Sequence, residues 1–202
     1  MIAKRHKHIT YYCFELRMTS KILKASRLVG QTLIFRNASV QDAEFILSLR
    51  VDANKSKYLS QTSNDLDLQI VWLERYASMS DQAYFIIEDK SGNRLGTVRL
   101  YDPVKDSFCW GSWIVKEGAA PVVAIESTLM VYTYALNHLG FKAAHFDVRK
   151  GNESVWKFHE KFGAMRVAET EIDFDYQISN EAIRASLERY RKYLKNELLV
   201  EH

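Results

Sequence analysis

The chain contains few of the residues that interrupt or cross-link a fold. Its 202 residues include two prolines, two cysteines and eight glycines. So few prolines and glycines leave little room for a long linker, and this length suits one domain with a substantial core. Cys13 and Cys109 lie far apart and lack metal-ligand spacing. We therefore expect reduced thiols, no metal site and a cytoplasmic protein.

Long apolar runs and a strong excess of one charge are also missing. The most apolar stretch, AAPVVAIESTLMVYTYAL, contains Glu126 and has a helical pattern, so it predicts no membrane span. The formal net charge is +3, without the dense Lys/Arg stripes typical of nucleic-acid binding. These features predict neither nucleic-acid binding nor a membrane span.

The beginning of the chain carries little information. MIAKRHKHIT is basic but lacks the apolar core and cleavage site of a signal peptide. Met18 offers a second start, in which case residues 1–17 have no role in the fold. We predict an N-terminal extension over residues 1–30 and a single domain over residues 31–202.

Hydrophobic periodicity predicts the order β α α β β β α β α β, followed by an amphipathic terminal helix. The consecutive strands include AYFIIED, RLGTVRLYD and SFCWGSWIV, and the first two are joined by a KSGN turn. The last strand region, AMRVAETEIDFDYQI, is either one long strand or a bent pair. The order predicts an α/β (α+β) fold with a mixed, mostly antiparallel central sheet and helices on both faces.

One strand–loop–helix unit could bind an anion. The strand 107–115 has Gly111 at its middle, where a bulge or a close approach is common. The loop KEGAAP leads to a helix that begins with Pro121, a residue suited to the first helical position. The amides of Val122, Val123 and Ala124 lie at the positive end of this helix. Most such turns bind nothing, so the pattern alone leaves both interpretations open.

A second helix, over NESVWKFHEKF, carries two polar residues of interest. Asn152 stands at the N-cap, where its side chain can accept from a backbone amide two or three residues later. His159 lies on the apolar side of the helix, as expected for a core or rim residue. With an ordinary pKa of about 6.5, a histidine can also supply a proton near neutral pH.

These units together resemble the GNAT acetyltransferase superfamily over roughly residues 33–177. The match rests on Asn152, Phe158-His159, Glu160-Lys161, Phe162 and Gly163, which stand where the family has its later motif. AIESTLMVYTYALNHLGFKAAHFDV is similar to the family's central helix and the strand after it. The order of the elements matches as well.

The chain departs from the family pattern at three places. In the family's pyrophosphate loop, a basic residue and two small residues stand where this chain has Glu117, Ala120 and Val122. His159 replaces a common tyrosine, and Ala164 replaces a common phenylalanine. The resemblance therefore implies either weaker binding of the coenzyme diphosphate or binding by loop amides with an altered geometry.

The resemblance implies an acetyl-CoA-dependent N-acetyltransferase. Acetyl-CoA is expected where the central strand parts from its parallel neighbour. The expected contacts come from the strand end, the loop, the helix start and one N-cap: Trp113, Ile114, Val115, Gly118, Ala119, Ala120, Val122, Val123, Ala124 and Asn152. His159 is the expected proton donor and Glu126 the expected base. The alternative for Glu126 is a first-turn glutamate that the helix dipole stabilises.

The acceptor pocket is expected between the early helices and the hairpin strands. Its candidate residues are Asn54, Tyr58, Trp72, Tyr101 and Trp110. The acceptor implied first is the primary amine of a nucleotide-linked amino sugar. The alternatives are a protein N-terminus of the ribosomal-protein type, a polyamine or antibiotic, and a non-catalytic CoA-fold module. The terminal helix allows either a monomer or a homodimer.

Overall fold

A computed structural model describes residues 20–52, 58–59 and 63–202. Its centre is a nine-stranded sheet in the order β7-β8-β6-β5-β4-β3-β2-β1-β9. The strands are β1 (Arg27–Val29), β2 (Leu33–Asn37), β3 (Ala83–Asp89), β4 (Arg94–Val104), β5 (Ser107–Val115), β6 (Ala143–Arg149), β7 (Met165–Glu169), β8 (Asp173–Ser179) and β9 (Leu199–Glu201). The helices are α1 (Ala43–Arg50), α2 (Leu66–Ser78), α3 (Pro121–Thr133), α4 (Glu153–Lys161) and α5 (Asn180–Arg189).

Helices cover both faces of the sheet, as predicted. Alternate residues of a strand point to opposite faces, and β3 shows this directly. Phe85 and Ile87 enter the core that also holds Leu129 of α3, whereas Tyr84 and Ile86 enter a second core with residues of α1 and α2. The sheet is thus buried on both sides, and α1 and α2 lie opposite α3.

One parallel strand pair interrupts the antiparallel sheet within the described residues. β5 pairs with β6 from Ser107↔Ala143 to Cys109↔His145, and the register ends there. α3 lies between these two strands in the chain, as the sequence predicts. Beyond His145, β6 continues to pair with β8 on its other side. The remaining halves of β5 and β6 therefore part from one another.

A bulge in β5 lies where the strands part. Thr97 of β4 is opposite Ile114, but Arg99 is opposite Gly111, so β5 has one extra residue in this interval. Ser112 has a φ of 45°, and its carbonyl accepts a 2.7 Å hydrogen bond from the Thr97 hydroxyl. A bulge bends a strand and increases its twist. Here it lies at the opening between β5 and β6.

The ends of the chain differ from the sequence-based expectation. The terminal helix ends at Arg189, and Leu199–Glu201 forms β9 beside β1. Of the two alternatives predicted for residues 165–179, the structure has the pair of strands, β7 and β8. β1 and β9 are three residues long, too short for a periodic pattern to reveal them.

The predicted boundary between the N-terminal extension and the domain, at residue 30, lies directly after β1. Ile22, Ala25 and Leu28 are buried in the core, so residues 20–30 pack with the rest of the sheet. The division into an extension and a domain stays a prediction, and residues 1–17 lie outside the described residues. Over the described ranges, none of the helices has both the length and the apolar character needed to cross a bilayer.

Glu126 fastens α3 to β2. Its carboxylate accepts hydrogen bonds from the backbone amides of Thr32, at 2.7 Å, and Leu33, at 3.0 Å, and from the Thr32 hydroxyl, at 2.5 Å. The side chain has no exposed surface. Removing the charge from a buried acceptor of three hydrogen bonds is costly, so this contact fixes the position of the helix start.

Glu126→Gln should lower the free energy of unfolding by about 1 to 3 kcal/mol, because an amide replaces a charged acceptor. Urea unfolding measures the change. Glu117→Gln, in the exposed loop before α3, is the matched control and should leave the unfolding midpoint unchanged. Equal stability of the two variants would contradict the anchoring role.

Candidate active site

The gap between β5 and β6 has one wall from each strand. Trp110 to Val115 form the β5 wall, and Phe146 to Arg149 form the β6 wall. Along β6, Phe146 and Val148 are buried, whereas Asp147 is exposed on the opposite face. The gap is therefore largely apolar on one face of the sheet and polar on the other.

Nine of the ten predicted coenzyme-binding residues lie within residues 113–124, from the end of β5 to the start of α3, beside the gap. Trp113, Ile114 and Val115 end β5, and Gly118 allows the following loop to turn with a φ of 78°. Trp113 donates from its indole nitrogen to the Ser127 hydroxyl of α3 at 3.1 Å. Strand end, loop and helix start are thus held together, and their role toward acetyl-CoA stays a prediction.

The start of α3 offers fewer amides than expected. Ala120 is the N-cap, and the Val123 amide donates to the Ala120 carbonyl at 2.9 Å. The Val123 side chain is buried, whereas Gly118 and Ala120 are exposed. The sequence predicted that the Val123 amide could bind an anion. This is corrected, because the amide already donates a hydrogen bond within the first turn of α3.

Asn152 precedes α4 but does not cap it with its side chain. No side-chain cap hydrogen bond is formed there, which corrects the capping prediction. Its Oδ1 instead accepts from the Ser154 hydroxyl at 3.4 Å. The φ of −87° and ψ of 64° at Asn152 lie outside the extended region that N-cap residues usually adopt.

The structure corrects the assignment of Glu126 as the base. Its carboxylate is completely buried and faces the backbone of residues 32 and 33. A base must come within hydrogen-bond reach of the amine whose proton it removes. Glu126 is therefore a positioning residue, which sets where α3 begins.

His159 lies in an aromatic environment. Its ring centroid is 4.3 Å from Phe146, 5.2 Å from Trp110 and 5.8 Å from Trp113. Burial lowers the pKa of His159 to about 3, and its Nδ1 has no hydrogen-bond partner among the described residues. At neutral pH the ring is uncharged. A buried, neutral ring argues against the expected role of His159 as the proton donor, and that role stays a prediction.

Four of the five predicted acceptor residues line one cavity of about 520 Å³ on the face of α1 and α2. They are Tyr58, Trp72, Tyr101 and Trp110. Asn54 lies outside the described residues. We call this space the first cavity. Gly111 and Ser112 also line it, so it reaches the bulge where β5 and β6 part.

Three arginines that were not among the predicted site residues also line the first cavity. They are Arg50 at the end of α1, Arg99 of β4 and Arg149 of β6. Burial lowers the pKa of Arg50, and the positive charge of Arg99 lowers it further. Arg99 stands between buried Val98 and Leu100, and this alternation is the signal that could have identified it.

Asp147 is the second feature that the sequence analysis missed. It lines the first cavity and also an open groove of about 630 Å³, which we call the second groove. Partial desolvation raises the pKa of Asp147, although the residue keeps exposed surface, and repulsion by Asp173 and Asp175 raises it further. In the sequence, Asp147 alternates with two apolar residues of β6, which already indicates a position on the polar face.

The sequence profile of the Acetyltransferase (GNAT) domain family matches residues 32–165. The chain belongs to the GNAT acetyltransferase family. A solved structure described as apo FdhC, a nucleotide-linked sugar GNAT, is 36% identical, with a TM-score of 0.72 and coverage of 85% of this chain and 97% of that chain. The enzyme is an acetyltransferase, and its co-substrate is acetyl-CoA.

More distant GNAT structures share the fold alone. A GCN5-related N-acetyltransferase from Brucella melitensis is 15% identical, with a TM-score of 0.72 and coverage of 87% of this chain and 89% of that chain. Spermidine N-acetyltransferase from Vibrio cholerae, in complex with CoA and spermine, is 17% identical, with a TM-score of 0.68 and coverage of 76% and 98%. Comparison with curated protein sequences gave no match.

His159→Phe removes the titrating ring and keeps an aromatic side chain. The folded protein holds the pKa of His159 at about 3, against an ordinary 6.5 in the unfolded chain. The unfolded state therefore binds more protons between these values. The wild type should lose on the order of 1 kcal/mol of stability per pH unit below the unfolded pKa, and the variant should lack this loss. Urea unfolding at about pH 7 and about pH 5 measures the difference.

His138→Gln is the control, because His138 is exposed and its removal should leave the pH dependence unchanged. The same pH dependence in the wild type and in His159→Phe would contradict the buried neutral state. Turnover of His159→Phe also tests the predicted donor role. A turnover within a few-fold of the wild type would remove that role.

Proposed function

We propose that this GNAT enzyme acetylates the primary amine of a small anionic acceptor, and that the acceptor is a nucleotide-linked amino sugar. The observation that carries this proposal is that three arginines, Arg50, Arg99 and Arg149, line the first cavity. The similarity to FdhC agrees with it. Family membership removes the alternative of a non-catalytic module.

The arginines of the first cavity favour an acceptor that carries phosphate groups. Like charges that line one cavity disfavour one another, and a bound anion relieves this repulsion. The Nε of Arg99 is buried and has no hydrogen-bond partner within the described residues. A guanidinium group matches the oxygens of a phosphate with two parallel hydrogen bonds. A diphosphate would supply negative charge and a hydrogen-bond acceptor for the Arg99 Nε.

Aromatic residues complete the first cavity. The guanidinium carbon of Arg99 lies 4.2 Å from the Tyr101 ring centroid and 5.6 Å from that of Trp72. Trp72 itself stacks on Tyr76, with an interplanar angle of 4°. Rings held rigidly in this way provide flat surfaces for a sugar or a nucleobase at a small entropic cost.

The residues near the gap fit acetyl-CoA in part. The free edge of β5 and the exposed loop 116–120 can receive a pantetheine arm and a diphosphate. Glu117 and the engaged amide of Val123 work against tight diphosphate binding. The coenzyme supplies an acetyl thioester. The protein residues orient the acceptor amine toward it and move the proton that the amine must lose.

The other acceptors fit the first cavity less well. A polyamine is a polycation, and the cavity is lined by three arginines against the two carboxylates Asp65 and Asp147. A protein N-terminus carries no phosphate group, so a phosphate site would not contribute to its binding. Both alternatives remain outcomes of the experiment below.

The acceptor is identified by measuring thiol release from acetyl-CoA with four amines. They are a dTDP-linked amino sugar, a UDP-linked amino sugar, a ribosomal-protein N-terminal peptide and spermidine. We expect release with a nucleotide sugar and little with the other two. Release with the peptide or with spermidine alone would overturn the proposed acceptor class.

Arg99→Gln should raise the KM for the nucleotide sugar about tenfold or more, because a charged hydrogen bond to phosphate contributes about 1.5 to 3 kcal/mol. The KM for acetyl-CoA should change little. Arg27→Gln, which removes an exposed arginine of β1 that pairs with Glu201, is the matched control. An unchanged acceptor KM in Arg99→Gln would contradict the phosphate role.

A further inference from the structure

Asp147 stands where the first cavity, the second groove and the gap meet. It belongs to the half of β6 that no longer pairs with β5. Together with Tyr101 it forms the wall shared by the first cavity and the second groove. An acceptor amine that reaches the gap from the first cavity must therefore pass close to this carboxylate.

Of the described carboxylates that line the first cavity, Asp147 is the one that can act as a base. Among the described residues, Asp65 and Asp147 line the cavity. Asp65 caps α2, and its Oδ1 accepts from the amides of Asp67 and Leu68 at 3.0 and 3.2 Å. Asp147 keeps solvent-accessible surface. It is therefore the lining carboxylate that can accept a proton without breaking a helix cap.

We propose that Asp147 is the general base of the transfer, and that the proton it accepts leaves through the second groove. The inference holds for any amine acceptor, and it uses the proposed nucleotide sugar only as the first assay substrate. The Asp147 carboxylate touches the reacting amine, so it is assigned as a catalytic residue.

The protons and bonds balance in this scheme. The acceptor ammonium gives one proton to the Asp147 carboxylate and becomes a neutral amine. The amine nitrogen forms a C–N bond with the thioester carbonyl carbon, and the C–S bond breaks. The nitrogen loses a second proton, and the departing thiolate gains one. Asp147 then releases its proton to water in the second groove, which stays open while the acceptor fills the first cavity.

The surroundings tune Asp147 for this task. Asp175 stands directly opposite it across β6 and β8. Like charges at such a position repel and favour the protonated form of one partner. This agrees with the raised pKa of Asp147. A base works best when its pKa lies near the working pH, so the shift is in the useful direction.

Other titratable or charged groups face the same region. They are Arg99, Tyr101 and Asp102 of β4, Lys105 and Asp106 at the β4–β5 turn, Cys109 of β5, His145 and Arg149 of β6, and Asp173, Asp175 and Tyr176 of β8. Arg149 lowers the pKa of Asp147, but it is paired with Asp173 at 3.4 Å. The pKa of Cys109 is raised to about 11 by burial, so this thiol stays protonated at neutral pH.

Asp147→Asn tests the assignment. We expect kcat to fall about 10²- to 10⁴-fold at neutral pH, since this is the usual contribution of a general base. The thermal shift caused by acetyl-CoA should persist, and stability should not fall, because a repelling charge is removed. Asp147→Glu should recover part of the activity. Glu171→Gln, in the exposed turn before β8, is the control. Wild-type turnover in Asp147→Asn would overturn the proposal.

Asp175→Asn gives a second readout that a purely structural role would not move. Removing the opposing charge lowers the pKa of Asp147. The acid limb of kcat/KM, where the base becomes protonated, should then shift to lower pH. An unmoved acid limb, with the rest of the profile intact, would contradict the assignment of this limb to Asp147.

The two proposals fail in different ways. If the wild type acetylates neither nucleotide sugar, the acceptor class is wrong. The Asp147 variants are then measured on whichever amine the wild type does acetylate. If the nucleotide sugar is acetylated equally well by Asp147→Asn, the acceptor class stands and the base assignment fails.

Discussion

The separation of β5 from β6 is the constraint on which the rest of this enzyme depends. Two parallel strands normally continue to hydrogen-bond along their length, but here the register stops at Cys109 and His145. The bulge at Ser112 adds one residue to β5 and is held by the Thr97 hydroxyl. A bend of this kind turns the strand away from its neighbour. The bulge therefore lies where β5 and β6 part, at the gap proposed as the site of transfer.

The alternation of side chains along each strand determines where the charged residues around this gap lie. On β4 and β6, every second residue faces the side covered by α1 and α2, and these residues include Arg99, Asp147 and Arg149. The arginines lie in the first cavity, whereas Asp147 also faces the second groove, where Asp175 adds negative charge. For the proposed acceptor, this arrangement would place the amine toward Asp147 and the anionic part toward the arginines.

Local pattern was enough to predict most of the fold, but not the chemistry of the site. The parallel pair joined by α3 and the helices on both faces followed from periodicity and element order. The aromatic residues Tyr58, Trp72 and Tyr101 were predicted in one pocket, and the structure brings them to one cavity. Arg50, Arg99 and Asp147 were missed because a charged residue in a sequence is usually on a solvated surface. Only the tertiary arrangement shows that three such residues share a cavity wall.

The two residues first expected to carry the chemistry show why burial decides such assignments. Glu126 and His159 match family positions, yet both are buried away from the polar face. A carboxylate that satisfies three protein donors cannot also take a proton from an amine without losing the contacts that hold α3. An imidazole enclosed by Trp110, Trp113 and Phe146 stays neutral at physiological pH. Proton removal is therefore better served by a carboxylate that keeps contact with water, and the parted half of β6 places Asp147 in that position.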